Sequence, residues 1–202
     1  MTISSIYSSY NIPPNLERHM LQVTAVGMYV CDAWNGPTIN RDLIRNALLL
    51  HDMGNILKFK RPFLGELEQN VAHWEQVQHD YQAKYGTDVQ QATLAIVEEL
   101  GFLDVYDLLV EMRSAWEKEA EVSWETRICE YADCCVTPKG IEGFEKRILD
   151  LENRYNLEET STTIVLLRQN AELVRQHVQT EVFNLETRDF SKEIETLRNV
   201  EL

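Results

Sequence analysis

His51 and Asp52 carry side chains of the kind that bind metal ions. They stand where an apolar run, Ala47-Leu48-Leu49-Leu50, ends before Met53-Gly54. An imidazole and a carboxylate at the end of a core segment need partners, because burying either one unpaired is costly. A divalent cation satisfies both at once, and the partial negative charge at a helix C-terminus favours a cation there. On these two residues alone, a buried histidine hydrogen-bonded to an aspartate or to backbone explains the pair equally well.

Two further residues shift that balance. His51 lies on the stripe of Ile44, Ala47 and Leu48, with Asp52 about 100° further round the helix. His19 sits between Leu16 and Val23 in the core stripe of the preceding predicted helix. Two antiparallel neighbours would set His19 against His51. Asp133 falls late in the helical stretch Ile128-Cys129-Glu130-Tyr131-Ala132-Asp133. A helix C-terminus is an unfavourable place for a carboxylate that binds nothing.

The elements that must position these residues read as helices nearly throughout. Leu16, His19, Met20, Val23, Val26 and Val30 follow i, i+3, i+4 spacing, and Trp34-Asn35-Gly36-Pro37 breaks that helix. Asn40 is placed to cap the next helix, with Asp42 in its first turn, and Gly54 is placed to stop it. A polar, partly basic loop with Lys58, Lys60, Arg61 and Pro62 follows. Further helices are predicted over residues 67–85, from a capping box at Asp88 and Gln91 to Gly101, and over 103–113, 116–135, 141–155 and 159–183. Pro138 and Gly140 are expected to end the 116–135 helix. No alternating run argues for a sheet, so the predicted fold class is all-α. Residues 1–14 are expected to form an N-terminal arm, 15–136 the metal-binding core, and 137–202 helices packed on the core or at a homodimer face. Ile164, Leu167, Val174 and Val178 favour packing on the core over a dimer. Trp74, Trp116 and Trp124 are expected in the core or in pocket walls.

Composition bounds the chemistry. With 202 residues the chain is long enough for a full core. A net charge of −14 repels phosphate backbones, which argues against non-specific nucleic-acid binding but not against a small phosphorylated ligand. The start of the chain lacks a signal-peptide pattern, and no apolar run approaches the length of a membrane span. Cys31, Cys129, Cys134 and Cys135 match neither a disulfide framework nor a paired zinc motif. They read as reduced thiols of a cytoplasmic protein.

The order His19 … His51-Asp52 … Asp133 resembles the HD-domain superfamily of metal-dependent phosphohydrolases. The resemblance is carried by Arg18-His19-Met20-Leu21-Gln22-Val23, Leu49-Leu50-His51-Asp52-Met53-Gly54-Asn55 and Tyr131-Ala132-Asp133, and it covers roughly residues 15 to 136. It implies that His19, His51, Asp52 and Asp133 bind one divalent metal. Two imidazoles and two carboxylates suit manganese, iron, cobalt, nickel or zinc, with magnesium also open. The implied reaction is hydrolysis of a phosphate ester of a nucleotide or another small phosphorylated metabolite, with an acidified metal-bound water as nucleophile and Asp52 as a catalytic residue. The alternative is a catalytically silent HD-type module that binds a nucleotide or a protein partner.

The chain departs from that pattern in places. Asn55 stands where many HD proteins have lysine after the glycine, so Lys58 is expected to supply the catalytic positive charge and, with Arg18, to bind the substrate phosphate. Lys60 and Arg61 are further candidates. Members with two metals add histidines in the interval before the last aspartate. Here His73 and His79 lie in a solvated-looking helix, and Gln90-Gln91 occupy a place where some members have a histidine. The resemblance therefore favours a single metal.

Overall fold

A computed structural model describes residues 1–59, 70–115, 122–179, 185 and 187–202. Its elements run α1 (Ile3–Ser9), α2 (Pro14–Asp32), α3 (Arg41–Leu50), a 3-10 turn (Asn55–Lys58), α4 (Val71–Tyr85), α5 (Val89–Glu99), α6 (Leu103–Ala115), α7 (Trp124–Asp133), β1 (Val136–Thr137), β2 (Gly140–Ile141), α8 (Phe144–Tyr155), α9 (Thr162–Gln176) and α10 (Ser191–Arg198). The fold is all-α, with one two-stranded hairpin. No described helix is long and apolar enough to cross a membrane.

Three mutually packed helices, α2, α3 and α7, form the centre. Their inner faces are built from residues such as Met20, Val23, Val26, Ile44, Leu48, Ile128 and Ala132, all fully buried. Gly27 permits the close approach, since a Cβ there would lie 2.2 Å from Leu48 Cδ1 and 3.6 Å from Ala132 Cβ. Helix α6 packs on α3, α5 and α7, and α9 covers α7 from outside. The sequence-predicted stripe of Ile164, Leu167 and Val174 is buried in that contact. Asn40, Asp88, Ser123 and Ser161 each accept a hydrogen bond from a first-turn backbone N–H, which fixes where α3, α5, α7 and α9 begin.

Several elements depart from the sequence reading. The segment expected as an N-terminal arm carries α1, whose Ile3, Ile6 and Tyr7 are buried. It is locked to the C-terminus by Ile3 N–H donating to Val200 O at 2.9 Å and by Ser4 Oγ donating to Arg198 O at 2.6 Å. Seven residues are too few for helical periodicity to be read. The helix expected to last to Cys135 stops at Asp133, and a hairpin follows with Val136 opposite Ile141 and Thr137 opposite Gly140. Strands of two residues have no alternation to detect. The helix expected to stop at Gly54 ends at Leu50, capped by His51, and Gly54, with φ −88°, is not a left-handed glycine cap. Its requirement is space: a Cβ would come 2.3 Å from Val89 O. The first residues of the predicted 67–85 helix, Lys60, Arg61 and Pro62, Trp116 and the end of the 159–183 helix lie outside the described residues.

Candidate metal centre

The three central helices bring one end of each to a common point. His19 projects from α2, His51 and Asp52 follow the last residue of α3, and Asp133 is the last residue of α7. His19 Nε2 lies 3.2 Å from Asp133 Oδ1 and 3.6 Å from Asp52 Oδ2. His51 Nε2 lies 3.8 Å from Asp52 Oδ2 and 3.9 Å from Asp133 Oδ1. The two imidazole centroids are 5.5 Å apart. One donor atom each from His19, His51 and Asp133 fall within 4.8 Å of one another. Neighbouring ligands on one ion with bonds of about 2.1 Å sit roughly 3–3.5 Å apart, so small shifts would let these atoms share one.

The end of α3 shows how the site is prepared. A helix leaves its last carbonyls without helical partners. Leu48 O is taken by His51 Nδ1 at 2.7 Å, Leu49 O by the Tyr7 hydroxyl at 2.7 Å, and Leu50 O by Met53 N at 3.3 Å. With a carbonyl as its partner, His51 Nδ1 carries a proton, and in the neutral ring Nε2 then presents the lone pair. That Nε2 is buried and has no hydrogen-bond partner among the described residues. Asp133 Oδ1 is buried and equally without one, its contact with His19 lacking hydrogen-bond geometry. Two orphaned acceptors facing one point are what a cation site leaves when side chains alone are counted.

The electrostatics agree. Burial by itself pulls the His19 pKa down, but contact with Asp133 and the charges of Asp133 and Asp52 outweigh it and leave it raised. Burial pushes the Asp133 carboxyl up, and the two histidines with Arg147 overcome that, holding it below the usual carboxylate range. The His19 ring stands between the two carboxylates, 3.2 Å from Asp133 Oδ1 and 3.6 Å from Asp52 Oδ2.

The substrate-side candidates are placed differently. Arg18 is exposed on α2 beside His19. Lys58 is exposed at the end of the 3-10 turn, where its charge acts on Asp88 at the start of α5. It makes no ion pair with Asp52 or Asp133 among the described residues. Gln78 of α4 fixes this turn by donating to Ile56 O at 2.9 Å and Phe59 O at 3.0 Å. His73 and His79 are exposed on α4, and Gln90 and Gln91 are exposed on α5. The cysteines are all buried and free. Trp124 packs with Trp34 at 5.3 Å and His177 at 4.8 Å, and partly buried Trp74 lies against the core.

A model of the HD domain matches residues 16–137, more than half of the chain. The chain belongs to the HD domain family. Comparison with curated proteins and with solved structures gave no match. HD domains are mostly metal-dependent hydrolases and typically bind divalent metals. The His/Asp cluster of this HD domain is a possible site for such an ion.

The sequence reading missed Arg147, on α8 beyond the matched residues. Its charge acts on both Asp133 and His19. Its one local signal is position: it flanks the stripe of Phe144, Ile148 and Leu151, where an apolar residue would be ordinary. Arg147 Nη1 donates to Asp150 Oδ2 at 2.9 Å. Asp150 in turn lines a cleft of about 380 Å³ between the hairpin and α8, which also includes Lys139, Glu142 and Lys146.

Proposed function

We propose that this HD domain is a metal-dependent phosphohydrolase acting on a phosphate ester of a nucleotide or another small phosphorylated metabolite. The observation that carries the reading is His51 Nε2, the ring nitrogen left over when Nδ1 pairs with Leu48 O, buried without a partner beside an equally unpartnered Asp133 Oδ1. His19, His51, Asp52 and Asp133 would hold one divalent ion. Their nitrogen and oxygen donors suit manganese, iron, cobalt, nickel or zinc, with magnesium also open. Such an ion supplies Lewis acidity, which acidifies water and polarises a phosphoryl oxygen.

The chain's own residues set the conditions for that chemistry. Leu48 O fixes the His51 tautomer and ring. Asp133 stays ionised across the neutral range, which suits a ligand and not a proton donor. Asp52 is partly buried and faces both imidazoles, a position from which a carboxylate can also accept a proton from water. Arg18 beside His19 is a substrate-side cation in this reading, and Lys58 acts only on a ligand that extends along the 3-10 turn.

The test is a panel of phosphate esters assayed with each divalent metal, beside Asp52→Ala. Hydrolysis that needs metal and disappears in the folded Asp52→Ala protein supports the reading. Free metal at a hundred times its Kd should raise Tm by about 5–10 °C for a chain of this size. Protein that takes up no divalent ion overturns it. Uptake of metal with no ester hydrolysed points instead to a silent module that binds a nucleotide or a protein.

A further inference from the structure

We propose that Arg147, supplied by α8 outside the matched HD domain, grips the phosphoryl oxygens of the substrate at the four-residue centre. The inference rests on the phosphohydrolase reading and assigns the cation of that site.

Chain geometry places Arg147 there. After Asp133, Cys135 O accepts from Glu142 N at 3.1 Å and Gly143 N at 3.0 Å, so the hairpin folds back on the end of α7. Gly143, at φ +87°, then starts α8 beside that end. The Phe144 ring stacks on Tyr131 at 5.9 Å and 10°, which sets the first turn of α8 against the last turn of α7. Arg147 follows Phe144 by three residues and lies on the same helix face, and its charge acts on Asp133 and His19. The hairpin also reaches α2 one turn beyond His19, where a Cβ on Gly140 would lie 3.4 Å from Gln22 Nε2.

The surroundings leave the guanidinium under-neutralised. Its side chain is 14% exposed, whereas the other arginines in ion pairs are 26% exposed or more. Its Nε is buried and has no acceptor among the described residues. Its partner Asp150 is shared with Arg154, whose Nη2 lies 2.6 Å from the same oxygen. One carboxylate thus serves two guanidiniums, and the charge of Arg147 still acts on Asp133 and His19. A site that held only a cation would be weakened by a second positive charge. A site that holds a cation and a phosphate together needs one, and the planar fork of arginine matches two phosphate oxygens.

The two roles of Arg147, gripping an anion or merely packing, separate by the signs of two binding constants. Manganese binding and inorganic phosphate binding to the manganese-loaded protein are measured by titration calorimetry for wild type, Arg147→Gln and Arg147→Lys. Expected are phosphate binding at least tenfold weaker in Arg147→Gln, manganese binding unchanged or tighter, and an intermediate phosphate affinity in Arg147→Lys. Phosphate affinity equal to wild type in folded Arg147→Gln overturns the proposal. So does parallel weakening of manganese and phosphate, which marks a structural role. If Arg147→Gln does not fold, Arg147→Lys decides, and wild-type phosphate affinity there overturns the proposal. Wild-type protein that binds no manganese is a different failure, that of the phosphohydrolase reading itself.

Discussion

The Tyr7 hydroxyl donates to Leu49 O over 2.7 Å, joining α1 to the last turn of α3 two residues before His51. The carbonyl is one that the end of a helix leaves unpaired, and both groups are buried. An N-terminal helix outside the matched HD domain therefore finishes the helix that presents the HD pair.

Tyr7→Phe removes the donor and leaves Leu49 O buried without a partner. The expected loss of stability is about 1–3 kcal/mol. Urea unfolding measures it, with the midpoint falling and the slope unchanged. A variant as stable as wild type would show that the contact contributes nothing.

Gly54 is pressed against α5, with Gly54 N donating to Thr93 Oγ1 at 2.9 Å. A Cβ would meet Val89 O at 2.3 Å and Thr93 N at 2.9 Å, both of them backbone. Backbone cannot yield as a flexible side chain does. Gly54→Ala should cost about 1–3 kcal/mol or more and weaken metal binding, because the turn bearing His51 and Asp52 must move. Thermal unfolding and a metal titration of the same preparation check both effects, and an unchanged variant would contradict the packing described.

Glu130 is nearly buried on α7, with Oε1 unpartnered among the described residues. Burial pushes its carboxyl up to about 7; Arg127 opposes this, and Asp133 and Glu111 add to it. In the unfolded chain the value returns to about 4.3. Between those values the folded protein binds the extra proton, so this group's contribution to stability falls as pH rises from about 4.5 through 7. In chelator-treated protein, Glu130→Gln should match wild type near pH 4.5 and exceed it by up to about 3 kcal/mol at pH 8. Parallel pH profiles for the two proteins would sink this account.

Helical spacing was enough to predict α2, α3 and the core faces of α9, since each buries a stripe that repeats every three or four residues. The types and order of His19, His51, Asp52 and Asp133 grouped them before any coordinates, because that order resembles the HD family. Lys58 was a different matter. It stands at the end of a 3-10 turn held by Gln78, where its charge acts on Asp88.

The amino-acid sequence by itself determined an all-helical chain and which four side chains would meet. Both follow from local periodicity and residue chemistry. Only the tertiary structure decided which atom of His51 faces the site, that α1 completes the end of α3, and that the charge of Arg147 acts on Asp133. Tyr7 and Leu49 are 42 residues apart in the chain, and the decisive partners are backbone carbonyls and packing, which carry no sequence identity.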